Sequence, residues 1–354
     1  MTNTSHQRLV YLDLFRGYTV VGMLIVNFVG GYQGVPRTLG HHHDHCSYAD
    51  TIMPQFLFAV GVAMRMTMIA RINRDGTSAA YRKAIGRGLG LILLGCVVYQ
   101  LTNRFEKWEQ VLNTDWAGFF VRLFKRGPFE TLTHIGATTL FVLPVIAARP
   151  MVRLLYLILA GGFHVWLSIV WYYEWNMTDP RGIDGGPLAF FSWSIPLLAG
   201  TLTFDAIQTA QWWQIAVLGL VVSVFATAIM AILNPTAKFP LIEATRESTQ
   251  ILNSWTMSQR AGSVTYTLFG TGFSLMVFAL FQKCERFLNW SIFRLFGQHA
   301  LAAYLIHDQV ASFVKPFVPR DSPSWYVWIG FAVYFIVTRI FVRYLDRNKL
   351  YFRL

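Results

Sequence analysis

Ten apolar stretches divide this chain of 354 residues, each close to the length that crosses a bilayer. They fall near 12–31, 50–69, 86–103, 131–148, 152–173, 188–204, 213–233, 263–282, 296–314 and 324–342. A crossing helix needs about 20 residues. In hydrocarbon every backbone polar group must pair within its own segment, so each stretch is expected to be a helix. With 54% hydrophobic and only 14% charged residues, the chain has too little polar surface to cover a soluble domain. The expected fold is therefore all-α, a polytopic integral membrane protein of about ten transmembrane helices forming a single domain, 1–354.

The formal net charge of +12 would suit nucleic acid, but its distribution points to a membrane instead. With the N-terminus inside, eighteen of the 30 basic residues fall on inner segments: Arg8 and Arg16, the group from Arg65 to Arg87, Arg149 and Arg153, Lys283 to Arg294, and Arg339 to Arg353. Acidic residues such as Glu106, Glu109, Glu174, Asp179 and Asp184 fall mostly outside. This is the positive-inside pattern, with both termini cytoplasmic, and no nucleic-acid partner is expected. The segment 104–130 breaks the rule with Arg122, Lys125 and Arg126, and its aromatic and basic mixture reads as an amphipathic helix at the interface.

Three cysteines provide no disulfide framework, since Cys46 alone falls outside the apolar stretches on the outer face. The first stretch is interrupted early by Asp13 and Arg16 and lacks a small-residue cleavage site, so it is read as a retained span. No internal repeat, low-complexity tract or soluble-enzyme loop is present. The longest inner loop, about 70–85, is basic and short. The outer segments at 32–49, 104–130, 174–187 and 234–262 are richer in Gly, Pro, Trp and polar residues, and the outer face is where a site is expected to assemble.

Several polar residues stand out against this background. Asp13 and Arg16 are three apart and share a helix face; they form an inner ion pair or, with Arg16, a phosphate contact. Asn27 is a lone amide near the outer end of the first span and must find partners. The first outer loop reads His41-His42-His43-Asp44-His45-Cys46, with Asp50 at the start of the second span. Its donor inventory would satisfy a metal. Adjacent histidines on an extended loop point apart, however, and no His-x-x-x-His pair on a helix face is present, so no metal site is expected. A histidine acting as general base near neutral pH is preferred, with Asp50 as helix cap or as the group that orients the imidazole. His134, His164, His299, Tyr304, His307 and Asp308 lie at membrane depth, where ionisable groups line a cavity or pair with each other. Arg260 is read as an outer anchor or an anion-binding side chain.

One family pattern runs through these residues: Leu12-Asp13-x-x-Arg16-Gly17, Val26-Asn27, Gly30-Gly31, a histidine, then Ala49-Asp50-x-x-x-Pro54-x-Phe56-x-Phe58 and Gly61. It resembles the heparan-alpha-glucosaminide N-acetyltransferase family of transmembrane acyltransferases. Weaker echoes follow at Thr131–Gly136, Asp184-Gly185-Gly186, Asn253–Ser258 and Phe296–His307. The family's single histidine after Leu-x corresponds to His41, with His42 next. The spacing to Asp50 is one residue shorter than in the family, and Gly297-Gln298-His299 stands where the family usually shows Gly-x-Asn.

The resemblance implies transfer of acetyl from cytosolic acetyl-CoA, the co-substrate, to an amino sugar or other glycan acceptor across the membrane. His41 or His42, Asn27 and Asp50 would be catalytic. Arg16, Asp13, His134 and His307 would hold the co-substrate, whose phosphates need the cationic group at 65–87 as well. A bacterial plasma membrane is the expected location, and a homodimer is compatible with the family. The competing expectations are a proton-coupled transporter, a metal-handling membrane protein using the His-rich loop, and an acyltransferase scaffold without catalysis.

Overall fold

The computed structural model describes residues 9–100, 105–242, 251–285 and 291–352. Arg8, Arg286 and Arg353 of the charge pattern, and parts of the segments at 104–130 and 234–262, lie outside the described residues. Fourteen helices and no strand occur among the described residues. They are α1 (Val10–Val29), α2 (Ile52–Asp75), α3 (Thr77–Gln100), α4 (Trp108–Leu112), α5 (Trp116–Lys125), α6 (Thr131–Val142), α7 (Pro150–Leu167), α8 (Tyr173–Met177), α9 (Phe190–Ala206), α10 (Trp212–Leu233), α11 (Val264–Cys284), α12 (Ser291–Gln298), α13 (Ala300–Val314) and α14 (Ser324–Arg347). Among the described residues the apolar stretches are largely helical, 296–314 being divided between α12 and α13. Six helical segments are long and apolar enough to cross a membrane: α1, residues 49–75 containing α2, residues 150–177 containing α7 and α8, α10, α11 and α14.

Burial separates these helices into two classes. In the most apolar 18-residue window of each, α1, α2 and α11 are 72%, 61% and 67% buried, whereas the α7–α8 segment, α10 and α14 are each 28% buried. The second class exposes continuous apolar rows, such as Leu155, Ile158 and Leu159, or Val217, Val221 and Val224, or Ile329, Val333 and Ile336. Apolar surface on this scale belongs in hydrocarbon. The chain is thus a helical integral membrane protein with α1, α2 and α11 at its centre and a lipid-facing ring outside.

Hydrophobicity does not drive helices together in lipid, so close backbone approach must do so. Glycines stand at the crossings in reciprocal pairs. A Cβ on Gly61 would collide with the carbonyl of Leu197, and one on Gly200 with that of Phe58, which locks α2 to α9. Gly17 meets Phe293 and Gly297 meets Asp13 in the same way, joining α1 to α12. At one end of the bundle, Arg65 donates twice to Asp205, at 3.1 Å from each nitrogen, and once to the Ile146 carbonyl. The fully buried Arg153 bonds the same carboxylate, tying α2, α7 and α9 together. We call this the basic end, and the opposite one the loop end.

Two expectations change. The inner loop near 70–85 is not a loop, because α2 runs to Asp75 and α3 starts at Thr77 with Gly76 alone between them, at φ +83°. Hydropathy marks where lipid ends, not where helix propensity ends. The segment 104–130 contains two helices, α4 and α5, rather than one. On α5, Trp116, Phe120 and Phe124 form one exposed apolar row. Lys125 turns inward, donating to the Thr178 carbonyl at 2.7 Å and standing 4.9 Å over the Trp175 ring.

Candidate active site

The loop after α1 folds back on the helix it leaves. Gly30 and Gly40 are in backbone contact, so that a Cβ on either would sit within 3 Å of the other's stretch of chain. This brings His41 and Asn27 to the same end of the molecule. Both line a cavity of about 400 Å3 at the loop end, a size usual for small-molecule sites.

Asp50 organises this loop. Its Oδ1 accepts from His41 Nδ1 at 2.9 Å. Its Oδ2 accepts from Ser47 N at 2.9 Å, Ser47 Oγ at 2.8 Å and His42 N at 3.3 Å. Its carbonyl takes the Tyr266 hydroxyl at 2.6 Å. Of the two roles open from the sequence, Asp50 takes the orienting one. A proton on His41 Nδ1 leaves Nε2 with its lone pair. The Asp50 carboxylate is fully shielded, while 41% of the His41 side chain is accessible because the ring, although surrounded by protein, faces the cavity. Burial pulls the His41 pKa down. The hydrogen bond and charge of Asp50, the charge of Asp184 and the Gln259 amide outweigh it, so the ring titrates above the usual histidine value.

The neighbouring histidines separate by position. His42 does not line this cavity, and its Nε2 donates to the Arg37 carbonyl at 2.8 Å. His43 lines it, with its pKa pushed down to about 4 by burial and by the charge of Arg260. Across the cavity, Asn27 Nδ2 donates to His307 Nε2 at 3.1 Å. His307 Nδ1 bonds the Tyr304 carbonyl, and Asp308 Oδ1 is 3.2 Å from Nε2. The Asn27 amide has two hydrogens, so one remains for a ligand.

Sequence reasoning passed over three groups on this wall. Asp184 is held by Gln259, whose Nε2 donates at 2.7 Å. Burial pushes Asp184 up to about 6, with the charge of Asp50 adding and Gln259 and His41 opposing. Glu130, at the start of α6, is pushed up to about 7 by burial and by the charges of Asp184 and Asp308, against Arg126. Tyr99 completes the wall. The signal for Asp184 was its Gly185-Gly186 tail: the three residues have φ of +48°, +86° and +67°, a left-handed run that two glycines make accessible. Nothing local marked Glu130, Gln259 or Tyr99.

A second cavity, of about 270 Å3, lies toward the basic end, with Arg16, Arg71, Arg87, Gln298 and His299 on its wall. Phe56, Thr131 and Tyr304 line both cavities. The Tyr304 hydroxyl is 2.7 Å from that of Tyr99, which in turn accepts from Leu132 N at 2.9 Å. The two spaces therefore share the side chains of Phe56, Thr131 and Tyr304 as a common wall.

Of the residues expected to hold the co-substrate, Arg16 lines the second cavity and pairs with Asp13 at 3.9 Å. His307 is on the first cavity instead, with Asn27. His134 lines neither; it is buried beside Phe129 and Trp193. His164 packs edge-on against Tyr172, and Arg260 reaches the first cavity. Compared with protein-family models and with curated proteins, the chain finds no match.

Proposed function

We propose that the protein is a membrane acyltransferase, with ten spans and both termini cytoplasmic, that moves acetyl from cytosolic acetyl-CoA to an extracytoplasmic amino sugar or related glycan. The observation that carries this reading is the pair of cavities sharing a wall, one rimmed by guanidinium groups and the other holding a carboxylate-oriented imidazole. In this reading the basic end is cytoplasmic, and Arg16, Arg71 and Arg87 receive the CoA phosphates. The pantetheine arm passes the Phe56–Thr131–Tyr304 partition and brings the thioester to Asn27.

The chemistry then needs only groups already in place. The acceptor nitrogen attacks the thioester carbonyl while His41 Nε2 removes its proton. The second Asn27 N–H stabilises the oxyanion, an effect of roughly 3–4 kcal/mol in comparable sites. Collapse breaks the C–S bond, and the CoA thiolate leaves with the proton from His41. Asp50 and Asp184 flank the imidazolium between these steps, and Glu130 and Asp184, titrating near neutrality, can pass protons to the outer solution. The protein would reside in a bacterial plasma membrane.

Two cavities across a partition also suit a proton-coupled carrier, and one experiment separates the readings. Purified protein in sealed vesicles is given labelled acetyl-CoA on the basic side and a panel of amino sugars on the other. Release of CoA with label on the far side, lost in His41→Ala, supports the transferase. Uptake of an unmodified solute with no CoA release would favour the carrier.

A further inference from the structure

The first outer loop is not extended between His42 and His45. It turns, and the two imidazole rings lie over one another with centroids 4.5 Å apart and planes inclined by 32°. One donor atom each from His42, Asp44 and His45 falls within 4.8 Å of the others. His42 and Asp44 open on a solvent-accessible cavity of about 520 Å3. His42 Nε2 is 2.8 Å from the Arg37 carbonyl, which can only accept, so the proton is on Nε2 and Nδ1 has the lone pair. That nitrogen has no hydrogen-bond partner among the described residues. An imidazole with one nitrogen tied to a carbonyl, and the other free, is the usual state of a histidine that ligates a metal. His45 Nδ1 and Asp44 Oδ1 face each other at 2.9 Å, and a metal ion would replace the proton they share.

We propose that His42, Asp44 and His45 form a binding site for one divalent transition-metal ion, with zinc the best match to a two-nitrogen, one-oxygen donor set. Bonds of about 2.0–2.1 Å in a tetrahedral site place donors roughly 3.3 Å apart. Closing from 4.8 Å requires donor movements of the order of 1.5 Å. A cation already occupies this place, since the Lys238 ammonium bonds Asp44. Zinc therefore competes with Lys238 for the carboxylate. Arg181 and Arg260 on the same cavity oppose a bare cation, so the fourth position favours an anion such as chloride or hydroxide. The ion would brace the loop next to the reacting histidine, since His42 N also donates to Asp50. The proposal does not depend on the acyltransferase reading.

Zinc titration of the metal-free, detergent-solubilised full chain in chloride buffer, against a chromogenic chelator, tests it. One equivalent is expected to bind. His42→Ala and His45→Ala should each weaken binding at least tenfold, whereas His41→Ala and His43→Ala should keep it. Lys238→Met should tighten binding severalfold, a gain that a purely structural ion pair would not give, and one that a variant failing to fold cannot mimic. Absence of stoichiometric binding by the wild type, or equal binding by the His42→Ala/His45→Ala double variant, overturns the site.

Discussion

Replacing Asp50 by Asn changes one atom in a position where the geometry allows only one outcome. Oδ2 faces three donors, the two from Ser47 and the His42 N–H. An amide nitrogen cannot sit there, so the Asn oxygen must take that place and the NH2 must face His41 Nδ1. The ring then has to accept at Nδ1 and hold its proton on Nε2, the nitrogen that the proposed mechanism uses as base. All four hydrogen bonds can be made, the one to His41 with its direction reversed and none with the carboxylate's charge. The folded state should lose only the net value of one bond to a charged group, about 1.5–3 kcal/mol. Turnover should fall much further, by about 10²–10⁴, the range that a positioned general base contributes.

The pH profile provides a second reading of the same change. In the wild type the acid limb of turnover should rise through a pKa above 6.5, because the base must be neutral and Asp50 and Asp184 hold its proton. Asp50→Asn removes the largest of the influences that raise it and leaves burial unopposed by that charge, so the midpoint should move to lower pH. Exchange of the His41 ring carbon hydrogen, followed by mass spectrometry across pH, measures that midpoint in the absence of substrate. Acetyl-CoA turnover in proteoliposomes measures the rate. An Asp50→Asn protein with turnover within threefold of wild type and an unmoved midpoint would refute the assignment of His41 as a base set by Asp50.

Three further outcomes follow from the same structure. Glu130 titrates at about 7 when folded against an ordinary 4.5, so its proton stabilises the fold fully below 4.5 and that stability is lost as pH rises through 7. Glu130→Gln should then raise the melting temperature at pH 8 but not at pH 4, by the equivalent of about 3 kcal/mol. Gly61→Ala should destabilise by about 1–3 kcal/mol or prevent assembly, because its Cβ would meet the Leu197 carbonyl, whereas Gly162→Ala meets nothing within 4 Å and should be neutral in the same thermal assay. Arg71→Ala and Arg87→Ala should each raise the KM for acetyl-CoA by roughly 10- to 100-fold, the loss of one charge-assisted bond, with kcat little changed; an unchanged KM in both would remove the second cavity from the CoA path.

The helical character was legible because lipid imposes one rule on the whole of each span, without reference to its neighbours, and six helical segments among the described residues meet that rule in length and hydropathy. Helix ends were not, since α2 and α3 continue beyond the apolar residues on propensity alone and stop only where Gly76 reverses the chain. On the site, Asn27 and Asp50 could be picked out because an amide or a carboxylate at the edge of a span is costly unless it is used. The choice between His41 and His42 could not, because it depends on a backbone turn held by Gly30 against Gly40 rather than on either side chain. Adjacent histidines do point apart, as His41 and His42 show, and it is the separate turn from His42 to His45 that brings two rings together.

Glu130, Asp184 and Gln259 mark the limit more sharply. They lie 54 and 75 residues apart along the chain and meet only because the left-handed turn at Asp184 seats its loop on the one carrying Gln259 and Arg260, with Gly185 N bonded to the Arg260 carbonyl at 3.0 Å. A carboxyl brought to a cavity by such a turn gains no local signature, yet its environment is what shifts it toward neutrality. Asp50 shows the opposite case, a carboxylate saturated by four donors and so committed to holding one ring. The division of labour follows from hydrogen-bond supply. The saturated group orients, and the two undersupplied carboxyls are the ones left able to exchange protons at physiological pH.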